Sequence, residues 1–158
     1  MPLKLSEYLS VMLECDGEQT DRSRTQQRDL MQEWRTVYAA SLYAATGKWR
    51  LHELDWHVFS YEHSRAVSGC KALDVYREEQ PDSFLVLPEE ASRLPGLHCR
   101  GTRLPNFMPY FVDIYIFPED LSWTMAFTHE ADTSMELGPF FCRREWIACG
   151  PRRSRRRR

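Results

Sequence analysis

The stretches YFVDIYIF (110–117), PEDL (118–121) and SWTMAFTHE (122–130) decide the fold. Two runs rich in aromatic and β-branched residues flank a short loop that opens on Pro118, which is the composition of a β-hairpin. With Phe117 opposite Ser122, the pairs Ile116/Trp123, Ile114/Met125, Val112/Phe127 and Tyr110/His129 share one side. Tyr115/Thr124, Asp113/Ala126 and Phe111/Thr128 share the other. A slip of one residue would destroy this separation. A third strand is expected after Gly138-Pro139, from Phe140 to Trp146.

Working back from the hairpin, SFLVL (83–87) reads as a short strand closed by Pro88. Residues 66–79 read as a helix stopped by Pro81, with Val67, Cys70, Leu73 and Tyr76 on one side. WHVFSY (56–61) is read as a strand from its aromatic and β-branched content. A strand–helix–strand unit over 56–87 would add a parallel pair with a right-handed crossover. The longest periodic segment runs from Arg24 to Thr46, where Leu30, Trp34, Val37, Tyr38, Ser41 and Leu42 recur at spacings of three and four. Thr20, Asp21 and Ser23 are its candidate N-caps, and Gly47 suits its C-terminal end. Residues 4–14 lean to a helix broken at Asp16-Gly17. Residues 89–109, with three prolines, read as a long irregular connection holding one helical turn at 89–93. The expected fold is α+β: a mainly antiparallel sheet of about five strands, covered on one face by a long amphipathic helix and a second shorter helix.

The chain has 158 residues, and its formal charge of −2 hides an asymmetry. Six arginines fall in the last eight residues; without them, 15 basic residues face 23 acidic ones, so residues 1–150 carry −8. Neither a uniformly basic nucleic-acid binder nor a strongly acidic solvated chain has this composition. Residues 1–150 are expected to form a single domain, and 151–158 a disordered arginine-rich tail that contributes nothing to the fold. The tail would bind nucleic acid only non-specifically, through charge. No apolar run suits a membrane span, and the N-terminus lacks the basic and apolar regions of a signal peptide, so the expected location is cytoplasmic. The five scattered cysteines include no Cys-x-x-Cys pair, which leaves reduced thiols as the expectation. No Gly-x-Ser-x-Gly elbow and no glycine-rich phosphate loop is present. No cofactor is expected.

Three groups of residues have the chemistry of a site. His129 and Glu130 end a strand; His suits proton transfer near neutral pH and Glu can tune it. Adjacent strand residues point to opposite faces, so the two cooperate only if the strand has ended. Asp113 interrupts an apolar strand, either as a solvated residue of an outer sheet face or as the floor of a site. His57, Glu62 and His63 suggest a metal, but six residues of strand span roughly 20 Å at about 3.3 Å each, so no metal site is assigned. The aromatic and hydroxyl residues Trp56, Tyr61, Tyr115, Trp123 and Thr128 are candidates for a partner-binding surface.

WHVFSYE (56–62), the segment 113–130 ending in Thr128-His129-Glu130, and LGPFF (137–141) together resemble small uncharacterised bacterial domains. Those domains end in a strand, Trp-Thr, strand, Thr-His-Glu, Gly-Pro-Tyr/Phe-Phe pattern, and some sit among polymorphic-toxin immunity proteins. The resemblance covers about a third of the chain and excludes residues 1–20 and the tail. It implies an α+β fold and a stoichiometric binding role, and brings no catalytic residues with it. Two functional expectations follow. The first is a cytoplasmic protein-binding module of immunity type, whose acidic body would favour a basic protein partner. The second is a hydrolytic enzyme using His129 with Asp113 or Glu130, with or without a metal. An enzyme needs these groups to converge in a pocket; a binder needs an exposed patch and no convergence.

Overall fold

The computed structural model describes residues 3–148. The arginine-rich tail and Cys149 lie outside the described residues. In chain order the elements are α1 (Leu5–Leu13), β1 (Glu18–Arg22), α2 (Arg24–Tyr38), α3 (Ala40–Thr46), α4 (His57–Ser60), β2 (Val67–Ser68), α5 (Gly69–Glu78), β3 (Ser83–Pro88), β4 (Gly96–Arg100), β5 (Ile114–Phe117), β6 (Trp123–Phe127), β7 (Phe140–Arg143) and α6 (Arg144–Ala148). The strands form one sheet in the order β1-β4-β3-β5-β6-β7-β2, antiparallel at every pairing. The fold is therefore α+β, with seven strands rather than about five.

Helices cover both faces of the sheet, where one covered face was expected. Phe84, Val86, Ile114, Ile116, Met125 and Phe127 pack beneath Tyr8 and Met12 of α1 and Ala72 and Tyr76 of α5. On the opposite face Leu85, Leu87, Tyr115, Phe117 and Ala126 pack against Trp34 and Tyr38 of α2 and Val58 and Phe59 of α4. Every residue of β5 and β6 is buried. This explains why their sequences run almost continuously apolar instead of alternating with polar residues.

Local chemistry accounts for most of the boundaries. Ser23 is the N-cap of α2, and its hydroxyl accepts from Gln26 N (3.2 Å) while Gln26 Oε1 accepts from Ser23 N (2.9 Å). Thr20 and Asp21, the other cap candidates, lie in β1. The expected helix over 24–46 is two helices that meet at Ala39, and Gly47 ends the second in a left-handed conformation (φ 71°). Residues 56–61 contain helix α4 rather than a strand, because a short buried apolar run suits either state. Among the described residues no parallel pair forms. Strand β4 lies inside the stretch read as irregular, and polar β1 and two-residue β2 form the sheet's edges. Residues 110–113 and 128–130 fall outside the hairpin strands. The hairpin pairs Ile114 with Phe127 and Ile116 with Met125, two residues from the expected register. A shift of two preserves the face of every side chain, so within the strands the two expected sides are those observed. His129, expected on the side of Ile114 and Met125, instead lies past the strand end against Asp113 and beside Tyr115 on the other. Strand β7 stops at Arg143, where α6 begins.

One buried polar contact ties α2 to the sheet. The Trp34 indole N–H donates to Thr124 Oγ1 at 2.9 Å, and the Thr124 hydroxyl donates to the Ile116 carbonyl at 3.3 Å. Thr124→Val keeps the shape of the side chain but leaves a buried indole N–H without an acceptor. Chemical denaturation is expected to read a loss of about 1–3 kcal/mol, the cost of an orphaned buried donor.

Candidate active site

Three strand ends meet at one margin of the sheet. β3 leaves the sheet at Pro88, paired with Ile114 at the start of β5, and β6 leaves at Phe127, paired with the same Ile114. The residues just beyond are Glu89, Asp113 and His129. Glu89 N–H donates to the Asp113 carbonyl at 2.9 Å, which extends the ladder by one step. Asp113 thus sits between Glu89 on one side and His129 on the other.

The Asp113 carboxylate is buried (3% exposed) and fully engaged. Its Oδ1 accepts the backbone N–H of His129 at 2.7 Å. His129 Nδ1 lies 2.9 Å from Oδ1 and 3.0 Å from Oδ2. A carboxylate can only accept, so Nδ1 carries hydrogen and Nε2 is the outward nitrogen. The ring is 46% exposed, and Nε2 lies 3.7 Å from Glu130 Oε1. The strand has ended before these two residues, which allows both to lie on one side.

Electrostatics divides the roles. Partial burial pulls His129 down, but the Asp113 hydrogen bond and charge outweigh it, and the imidazole ends above its ordinary value. Burial, the Asp113 charge and a hydrogen bond to Asp113 all push Glu89 upward, to about 7. Two carboxyl groups hydrogen-bond only when one keeps a proton, which is the state this arrangement favours. Such separation of neighbouring acids is how one site holds an acid and a base together.

A cleft of about 1000 Å³ opens beside these groups, lined by Glu89, His129, Tyr115, one side of α2 and the segment 50–55. Arg35 and Asp55 bridge its walls with a two-point ion pair, Nε–Oδ1 2.7 Å and Nη2–Oδ2 3.1 Å. Arg28 pairs with Glu90 at the rim. Two successive non-glycine residues of the wall, His52 (φ 50°) and Glu53 (φ 63°), adopt the left-handed conformation in a turn closed by Leu54 N–H to Leu51 O at 3.0 Å.

The expected site residues are only partly brought together. His129, Asp113 and Glu130 form one cluster. His57 and His129 both pack against the Trp56 indole, with ring centroids 4.2 and 6.0 Å from it. His57 is held down by burial, and its Nδ1 lies 2.8 Å from Ser60 Oγ. Glu62 and His63 line a different cleft, with Phe140 and Trp146. Among the described residues no three His, Cys, Asp or Glu side chains gather as a metal site. Of the residues considered for a binding surface, Trp56, Tyr115, Trp123 and Thr128 are buried, while Tyr61 is 54% exposed. Tyr115 lines the cleft, whereas Trp123 packs on the opposite face of the sheet. Glu89, His52 and the Arg35–Asp55 pair were missed. The signal for Glu89 was its place directly after an apolar strand, the same boundary position that Asp113 and His129 occupy.

No family model matches the chain, and neither does any curated protein or solved structure. Among the described residues no helix is long and apolar enough to cross a membrane.

Two predictions test the cluster. In Asp113→Asn the charged acceptor is lost while the shape is kept, so the His129 ring, followed by NMR, is expected to titrate at lower pH than in the wild type. An unchanged titration would show that Asp113 does not set it. For Glu89, the unfolded chain has a carboxyl near ~4.3, so the folded state holds the extra proton between that value and its own. Stability therefore falls as pH rises through this window. The raised His129 acts in the same direction, since its contribution is complete at low pH and is lost as pH rises through its folded value. The melting temperature is expected to fall as pH rises from about 4 to about 7, and to fall less steeply in Glu89→Gln.

Proposed function

We propose that the chain is a hydrolytic enzyme working by general acid–base catalysis at Glu89, Asp113 and His129. One observation carries this reading. An imidazole whose Nδ1 is held by a buried carboxylate shares a cleft with a second carboxyl group pushed up to about 7.

The division of labour follows from the contacts. Asp113 is buried behind His129 and is a positioning residue: it fixes the tautomer and orientation of the ring and favours its protonated form. In a hydrolysis the Glu89 carboxylate takes a proton from water, and the water oxygen bonds to the electrophilic centre of the substrate. The bond to the leaving group breaks, and protonated His129 gives that group its proton from Nε2. One water is consumed and nothing is oxidised or reduced. Glu89, pushed up to about 7, lies near its switching point at neutral pH, where proton transfer is most effective, and the raised His129 keeps its proton to higher pH than an ordinary imidazole.

A second reading, a protein-binding module of immunity type, draws on one surface feature. Leu5, Leu9 and Leu13 lie four residues apart along α1 and are 52, 41 and 76% exposed. That reading agrees with the resemblance noted in the sequence but leaves the acid–base cluster unused.

The test is a screen of the purified chain against chromogenic carboxylic esters, amides, glycosides and phosphoesters. Turnover of at least one class is expected, falling by about 10²–10⁴-fold in His129→Ala. The pH profile should be bell-shaped. It rises through about 7 as Glu89 loses its proton and falls as His129 loses its own at higher pH. Inactivity toward every class, or full activity in His129→Ala, would refute the enzyme reading.

A further inference from the structure

The rim of the cleft carries positive charge that the acid–base cluster does not use. Arg28, Arg24 and Arg50 all hold the Glu90 carboxyl below its ordinary value, and only Arg28 bonds to it directly. Among the described residues the Arg24 and Arg50 side chains have no ion pair or hydrogen bond of their own. Three guanidinium groups face two carboxylates, Glu90 and Glu53, at the mouth of the concave site, which leaves a surplus of one positive charge. Guanidinium is the side chain whose geometry and permanent charge best suit a phosphate.

The turn that carries Arg50 and His52 supplies a separate observation. A two-residue loop with both φ values positive favours Asn-Gly, because side chains beyond Cβ crowd the backbone there. Here the positions are His52 and Glu53, and both line the cleft. Strained residues of this kind persist where the surrounding structure holds them, and they concentrate at ligand-binding sites. The His52 ring is held 5.8 Å from the rings of both His57 and Tyr61.

We propose that the cleft binds a small phosphomonoester, whose dianionic phosphate is held by Arg24, Arg50 and His52. This rests on the hydrolytic reading for the chemistry, though not for the binding. Two guanidinium groups with no bonded carboxylate, beside one imidazole, suit an anion concentrated at one point better than a chain of spaced monoanions, and the cleft has the volume of a small-molecule site. In the reaction, water oxygen bonds to phosphorus and the ester P–O bond breaks. Glu89 takes one water proton and His129 protonates the leaving oxygen. The products are an alcohol and inorganic phosphate, with no change of oxidation state.

Inorganic phosphate is therefore the probe. Titrated into the full chain at constant ionic strength, it is expected to bind saturably and to shift the NMR signals of both the His52 and His129 rings. In Arg24→Gln/Arg50→Gln the affinity should fall by about tenfold, the value of two exposed ion pairs. Replacing His52 by Asn suits the left-handed backbone of the turn and leaves the Glu53 charge in place. That variant is expected to melt at or above the wild-type temperature while binding phosphate more weakly, which separates loss of the site from loss of the fold. Absence of saturable binding, or binding indifferent to Arg24 and Arg50, overturns the proposal. His129-dependent hydrolysis of uncharged substrates that phosphate does not inhibit would also overturn it and leave the hydrolytic reading intact. Phosphate binding as expected, without turnover of any substrate class, would support the ligand assignment and overturn the hydrolytic reading.

Discussion

The covering of the sheet on both faces is the constraint on which the rest depends. Once α1 and α5 close one side and α2 and α4 the other, strands β3, β5 and β6 have no solvated face. A charged side chain placed within them would lose its hydration on every side, a cost of several kcal/mol even after relaxation. Two hydroxyls of β5 and β6 face the layer of α2, and both have partners: that of Thr124 accepts from Trp34 and donates to Ile116, and that of Tyr115 accepts from the Trp56 backbone N–H. Ionisable groups are therefore excluded from the strands and collect where they end. Three adjacent strands end at the same margin, so three such groups become neighbours.

Asp113 shows how that margin is balanced. Its carboxylate is as deeply buried as the apolar residues beside it, and only its hydrogen bonds make this tolerable. It holds the backbone N–H and the ring N–H of His129, and its charge acts on the neighbouring carboxyl of Glu89. A second full negative charge at that distance would be repelled at low dielectric, so Glu89 keeps its proton to unusually high pH. The partly exposed imidazole brings the compensating positive charge. Glu89 and His129 both titrate in the field of Asp113, and a change in the proton of one alters the field on the other. Burial of one carboxylate thus sets the protonation of the two groups that reach the cleft.

Some of this was legible in the sequence, for physical reasons that can be identified. The hairpin faces were readable because side-chain period two tolerates the observed two-residue shift. Helix α2 was readable because Ser23, Gln26 and its apolar stripe agree. Residues 56–61 were misread because Trp56, Val58 and Phe59 are buried in a helix too short to show its period. Strand β4 was hidden because its residues, Gly-Leu-His-Cys-Arg, have little β character and lie among prolines; pairing on both sides makes them a strand. Asp113 and His129 could be singled out as polar residues interrupting or ending apolar runs. Their contact depends on β5 and β6 pairing so that both positions fall one or two residues past Ile114 and Phe127, and Glu89 depends on β3 lying on the other side of β5. Neighbourhood across a sheet is a property of strand order, which local pattern does not contain.

The Arg35–Asp55 pair joins this margin to the helix above it. An ion pair with both side chains mostly buried adds little net stability, since desolvation offsets most of the attraction. Its two-point geometry instead fixes orientation. It holds the middle of α2 against the residue that precedes Trp56. The Trp56 backbone N–H donates to the Tyr115 hydroxyl at 3.0 Å, which anchors the same point to the sheet. Trp56 then presents its indole edge-on to the His129 ring. His129 is consequently fixed from two directions, by Asp113 through the end of a strand and by Trp56 through α2. An imidazole held at its Nδ1 and along its edge, with only Nε2 open to the cleft, has one atom left with which to meet a ligand.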